Sequence, residues 1–234
     1  MTRFYDAHCH IPDTQNIDAI VQDMRTHSIE IILNNAARPS EWKFVYNISQ
    51  RHKNIFGALG IHPWHISQTT PNWQDELRQY LIANPKLMVG EIGLDKYHPN
   101  TNEQVDICQS QLKLAAELKR GTCVHCVGAW DKILHILKEN KRALPPVILF
   151  HKFNGNIKIM QDLISSCNAY FSFADTTNIN VIHTVPQNRI LIESDTDNPI
   201  DVINNTKNIA NLLNMDLNTL TSSIEQNITQ VLDI

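Results

Sequence analysis

The segment DAHCH, residues 6–10, places an aspartate and two histidines at alternate positions behind a short apolar start. Imidazole nitrogens and carboxylate oxygens are the donors of mixed divalent-metal sites. If FYDAHCH is a strand, Asp6, His8 and His10 share one face while Tyr5, Ala7 and Cys9 take the other. One strand then presents two imidazoles to a single ion. Asp6, deeper on that face, is expected to accept a ring N–H and orient its histidine.

More such residues close short β-branched runs further along: His62 in GIHPWH, Glu91 in VGEIGLD, His125 in TCVHC, His151 in ILFHKFNG and Asp195 in RILIESD. Any one of these histidines alone reads best as a core residue satisfied by hydrogen bonds. Six run ends carrying His, Glu or Asp are another matter, since each polar group buried without a partner costs about 1–3 kcal/mol. Four imidazoles (His8, His10, His125, His151) and two carboxylates (Glu91, Asp195) exceed the needs of one tetrahedral ion. A pair of divalent ions bridged by Glu91 accounts for the excess, and such pairs activate water for displacement reactions. Zinc, manganese, iron and nickel suit the donors and magnesium favours oxygen, so the metal is left open. Cys123 and Cys126 flank His125 as C-x-x-C, but on a strand they face opposite ways, and no second pair completes a structural zinc site.

These residues need elements to position them, and eight runs read as strands: Phe4–His8, Glu30–Leu33, Ile55–Leu59, Leu87–Ile92, Thr122–His125, Val147–His151, Ala169–Phe173 and Arg189–Glu193. Between them Ile17, Ile20, Val21 and Met24 keep helical spacing, as do Leu112, Ala115, Ala116 and Leu118, then Ile133, Ile136 and Leu137, then Ile157, Met160 and Ile164. Strands alternating with helices imply an α/β fold with parallel pairing, and eight units suggest a TIM-type (β/α)8 barrel, whose strand C-termini form the functional rim. An open doubly wound sheet is the alternative. The connection 174–188 is short and polar, so the last helices are the least marked part of this pattern. No repeat or linker divides the chain, and residues 1–234 are expected to be a single domain.

With 234 residues, 42% hydrophobic and 19% charged, the chain has the composition of a globular protein. A net charge of -4 and a pI near 6.2 exclude a broad basic face, so any nucleic-acid contact must be local. There is no run of about 18 apolar residues and no secretory signal at MTRFYDAHCH, which points to a cytoplasmic protein without membrane contact. Five cysteines, an odd number, fit reduced thiols.

Taken together, DAHCH (6–10), GIHPWH (60–65), VGEIGLD (89–95), QLKLAAELK (111–119) leading to VHC, FHKFNG (150–155), YFSF (170–173) and ESD (193–195) resemble the TatD family of metal-dependent hydrolases, in that family's order across nearly the whole chain. The resemblance implies a TIM-type barrel with two divalent metal ions. His8, His10 and Asp195 would hold one and His125 and His151 the other, with Glu91 between them. His62 would contact the scissile phosphate, and Glu193 would support the site. It implies a DNase acting 3′ to 5′ on single-stranded DNA, in which activated water attacks phosphorus, His62 stabilises the developing charge and Asp195 takes the water's proton.

The chain departs from the family pattern at Val127, where an arginine is usual, at Lys96 after GLD, and in DTDNPIDVINNTKN after Asp195. These departures fall where substrate is held. Lys96, Lys152 and Lys158 are candidate phosphate contacts, and Trp64 and Phe153 candidate stacking platforms. Hydrolysis of an ester or amide in a small molecule or aminoacyl-tRNA is the alternative activity. A non-catalytic interaction barrel is the remaining reading, and no obligate protein partner is indicated.

Overall fold

The computed structural model describes residues 2–174 and 179–233. Eight strands run in chain order: β1 (Phe4–Cys9), β2 (Ile29–Ala36), β3 (Ile55–Leu59), β4 (Met88–Asp95), β5 (Thr122–Val127), β6 (Ile148–Phe150), β7 (Ala169–Phe173) and β8 (Ile190–Ile192). All neighbours pair in parallel in the order β1 to β8. The first and last strands meet where the amide of Asp195 donates to the His8 carbonyl (2.9 Å) and that of His10 to the Thr196 carbonyl (2.8 Å). This is the (β/α)8 barrel expected from the alternating pattern.

Parallel pairing needs long crossovers, which carry α1 (Ile17–His27), α2 (Pro39–Arg51), α3 (Trp73–Ala83), α4 (Thr101–Glu117), α5 (Trp130–Glu139), α6 (Ile157–Ser166) and α7 (Ile179–Ile182); α8 (Asp201–Leu212) and α9 (Leu217–Leu232) follow β8. Local sequence sets their ends. Asn16 starts α1 by accepting the amide of Asp18 (3.0 Å), Asn156 starts α6 by accepting that of Ile159 (2.9 Å), and Asp216 starts α9 by accepting that of Thr219 (3.0 Å). Ile20 and Met24 of α1, Trp42, Val45 and Ile48 of α2, and Ile133, Ile136 and Leu137 of α5 bury the helical faces against the sheet. No described helix is long and apolar enough to cross a membrane.

Two departures from regular pairing bear on the site. In β1–β2 the register moves from Asp6↔Ile32 to Cys9↔Asn34, so three residues advance against two; in β4–β5 it moves likewise from Val89↔Thr122 to Ile92↔Val124. Such shifts turn the bulged strand and re-aim its side chains. His8 lies inside the first and Glu91 inside the second. Gly93, just beyond, has φ +140°, and a Cβ there would lie 1.9 Å from the His125 carbonyl oxygen. Only glycine tolerates both that conformation and that approach.

Candidate metal centre and active site

His8, His10, Glu91, His125, His151 and Asp195 converge at the C-terminal mouth of the barrel, where a cavity of about 670 Å3 opens. The carboxylate of Glu91 is buried, with the residue 3% exposed, and its two oxygens face different groups. Oε2 lies 3.5 Å from His8 Nε2 and 3.2 Å from His10 Nε2, which are 2.9 Å apart. Asp195 Oδ1 completes this set at 3.6 and 3.7 Å from the same nitrogens. Four donors about 2.1 Å from one ion would be spaced about 3.4 Å apart. On the other side, Oε1 lies 2.6 Å from His151 Nε2 and 3.0 Å from His125 Nδ1, themselves 3.2 Å apart.

The hydrogen bonds on the far sides of the rings decide which nitrogens are donors to a metal. His10 Nδ1 lies 2.9 Å from the Asn35 carbonyl, which only accepts, so the neutral ring turns the lone pair of Nε2 into the cluster. His8 Nδ1 lies 3.0 Å from Cys123 Sγ. Burial pushes the His8 imidazolium down, to about 4, with the His151 ring a second cause, which keeps His8 a neutral ligand-type ring. With the His8 proton on Nδ1, toward the Cys123 sulfur, two imidazole lone pairs and two carboxylate oxygens within one small volume all accept, and a cation is what such a donor set fits. Burial raises the Glu91 carboxyl, but the surrounding imidazoles, His151 foremost and then His62, outweigh it and hold the group well below the usual carboxylate range. For Asp195 burial is again the opposing cause, overcome by His8, His151 and Lys152.

His62 behaves differently. Its Nδ1 accepts the backbone N–H of Trp64 (3.1 Å), so the neutral ring carries its proton on Nε2, 3.3 Å from Glu91 Oε1. Although His62 could be grouped with Glu91 and His125 by distance, a nitrogen bearing hydrogen donates a hydrogen bond and does not ligate a metal.

Several expected roles change. Asp6 touches no histidine ring. Its carboxylate accepts the Ser194 amide (2.9 Å), the Ser194 hydroxyl (2.6 Å) and the His8 amide (3.2 Å), so it fastens β8 to β1 and orients backbone. Glu193 is fully buried beneath the site, accepting the Ser172 hydroxyl, with Oε1 3.8 Å from His151 Nδ1. Lys152 lines the cavity with Nζ 2.7 Å from Asp195 Oδ2. Lys96 is exposed and does not line the cavity; its chain passes over Gly128. Lys158 is paired with Asp162 on α6, and Phe153 is packed against Phe171 and Trp130, only 3% exposed, so neither is placed as a phosphate contact or an open platform. Trp64 is half exposed, with His98 stacked at 5.0 Å.

Asp95 and Cys123 were not singled out by sequence as site residues. Asp95 Oδ2 accepts the Trp64 indole N–H (2.7 Å) and lies 3.6 Å from His125 Nε2, so it favours the ring tautomer whose Nδ1 lone pair faces Glu91. Its place at the end of GEIGLD was the available signal. The opposed faces of Cys123 and Cys126 hold, since Cys123 shares the inner face with His125 and meets His8. Burial pushes the Cys123 thiol well above its ordinary range, so it stays protonated.

The model of the family described as TatD related DNase matches residues 5–233. The chain is 26% identical over 206 residues to an uncharacterized metal-dependent hydrolase of Buchnera aphidicola, spanning 81% of this chain and 76% of that protein. Over 123 residues it is 32% identical to the 3′-5′ ssDNA/RNA exonuclease TatD of Citrobacter koseri, which covers 50% of this chain and 45% of the relative. The solved structure of YjjV, a TatD homologue from Escherichia coli, superposes with a TM-score of 0.90 over 99% of this chain and 98% of that one at 22% identity, a likeness of fold. Running from the first strand to the last helix, the family match makes the chain a member of the TatD family of metal-dependent hydrolases.

Proposed function

We propose that this hydrolase is a phosphodiesterase that removes nucleotides from the 3′ end of single-stranded DNA, using two divalent ions. The observation that carries the reading is the division of the Glu91 carboxylate between two donor sets. His8, His10, Asp195 and Glu91 Oε2 would hold one ion; His125, His151 and Glu91 Oε1 would hold the other. When bound, such a pair lowers the pKa of a water and neutralises charge on phosphoryl oxygens.

The chain's own groups do the rest. His62 offers its Nε2–H to a phosphoryl oxygen as negative charge grows there. Asp195 is the proton acceptor for the attacking water: Oδ1 faces the first donor set, and against the cost of burial His8 and His151, with Lys152 on Oδ2, favour the ionised carboxylate. Trp64, half exposed at the mouth and fixed by Asp95, is the surface on which a terminal base can stack. A second reading, hydrolysis of a carboxylic ester or an aminoacyl-tRNA, draws on Val127 and Phe173, which make part of the cavity wall apolar.

Metal analysis of the purified protein, coupled to a panel of 5′-labelled oligonucleotides, phosphodiester dyes and esters, tests both. Loss of 3′ nucleotides that chelator stops and Glu91→Ala abolishes is expected. Intact oligonucleotides under every divalent metal, with esters hydrolysed, would select the second reading.

A further inference from the structure

The loops that follow the strands at the barrel mouth are poor in cations. Residues 10–16, 37–38, 60–72, 96–100, 128–129, 151–156 and 193–200, together with Ala174, contain as lysine or arginine only Arg38, Lys96 and Lys152, against the carboxylates of Asp13, Glu193, Asp195 and Asp197. Residues 175–178 read DTTN and add one carboxylate and no lysine or arginine. Two of the three cations are already on carboxylates: Arg38 Nε lies 2.7 Å from Glu41 Oε1, and Lys152 Nζ 2.7 Å from Asp195 Oδ2. Lys96 is outside the cavity lining, so Lys152 is the one lysine or arginine among the described lining residues.

A protein that follows a strand does so with a positively charged groove, and each phosphate it neutralises adds to the salt dependence of binding. Among the described residues this rim has no such groove. Its cavity of about 670 Å3 instead has an apolar wall of Ile11, Phe44, Val45, Val127 and Phe173 beside the donor cluster. That volume falls in the range of about 300–1,000 Å3 in which a cleft buries most of one drug-sized ligand.

Resting on the phosphodiesterase reading, we infer that the enzyme grips a single phosphodiester at a strand end and makes no paying contact with the phosphates beyond it, so that its substrates are short oligonucleotides and a long strand is treated as one more terminus. Recognition is then by the terminal nucleotide, its sugar and base against the apolar wall and Trp64, and its one phosphodiester on the donor cluster. Strand length then drops out of the specificity, and ionic strength acts only through one phosphate contact.

The test compares dithymidine monophosphate, which has one phosphodiester, with a dT20 strand, using the full chain loaded with Mn2+ and measuring kcat/KM per 3′ end from 50 to 200 mM KCl. One phosphate contact predicts a loss of about threefold over that range, whereas six predict a loss of several hundredfold. A length preference below tenfold and a salt effect below tenfold support the inference; tenfold or more in either overturns it. Bis(p-nitrophenyl) phosphate serves as the control for the underlying reading. If neither nucleic acid nor the dye is cleaved with Mn2+, Zn2+ or Mg2+, the phosphodiesterase reading itself fails, and the inference with it; cleavage of dT20 alone overturns the inference and leaves the reading standing.

Discussion

Residue identity matters here chiefly through which ring nitrogen carries the proton. His10 and His62 have similar surroundings, yet a carbonyl on Nδ1 of one and an N–H on Nδ1 of the other give them opposite capacities at Nε2. For His8 the group at Nδ1 is the Cys123 thiol, 3.0 Å away, which can accept the ring N–H and leave Nε2 free to ligate. Cys123→Ala removes it, and metal affinity is expected to fall about 10- to 100-fold, the usual cost of losing an outer partner of a ligating histidine. Competition with a chromogenic chelator measures this, and an unchanged affinity would show that the thiol is a packing group only. His62→Gln keeps a hydrogen-bond donor but moves it, so kcat is expected to drop by about 100-fold while the bound metal content, read by elemental analysis, stays at the wild-type level. Were His62 a ligand, metal would be lost along with activity.

Among the elements, the strands were legible and the site's fine placement was not. All eight apolar runs became strands because β-branched residues in short runs between helical patterns leave little choice. Four helices were marked by spacing. Helix α8, DVINNTKNIANL, was not, because its asparagines dilute the periodic signal that Val202, Thr206 and Ile209 supply once packed. That six residues would meet was readable because strand ends in a parallel barrel share one mouth, whatever their separation along the chain. Asp6 was misassigned for a complementary reason: its partner Ser194 is 188 residues away, and no spacing rule reaches that far. Nor could the register shifts around His8 and Glu91 be read from composition. Gly93 tests their importance. Gly93→Ala would drive a Cβ into the His125 backbone at a φ that L residues avoid, so β4 and β5 must separate. A stability loss of about 3 kcal/mol or more is expected by urea denaturation, together with lost metal binding, whereas Gly128→Ala, at φ +63° with only Lys96 and Tyr97 nearby, should cost about 1 kcal/mol. Equal effects at the two glycines would refute the argument.

For the whole molecule, burying this many carboxylates and imidazoles together carries a desolvation cost that a bound cation would offset. Divalent ions that bind the folded chain and not the unfolded one therefore raise its stability, by about 2.7 kcal/mol at one hundred times the dissociation constant. For a chain of this length that is a rise in Tm of about 5 °C or more over the chelated protein. Scanning calorimetry with and without chelator checks it, and coincident transitions would argue that the cluster holds no ion. The contacts that close the barrel carry a different implication. His8 and His10 are made before Asp195, and the Asp6 carboxylate that fastens their strands together waits for Ser194. Until Asp195 has been made, a nascent chain cannot assemble the full donor set, and a product terminated before it carries His8 and His10 without that carboxylate. The donor set is therefore a property of the closed barrel, and a fragment that ends before β8 is expected to hydrolyse nothing.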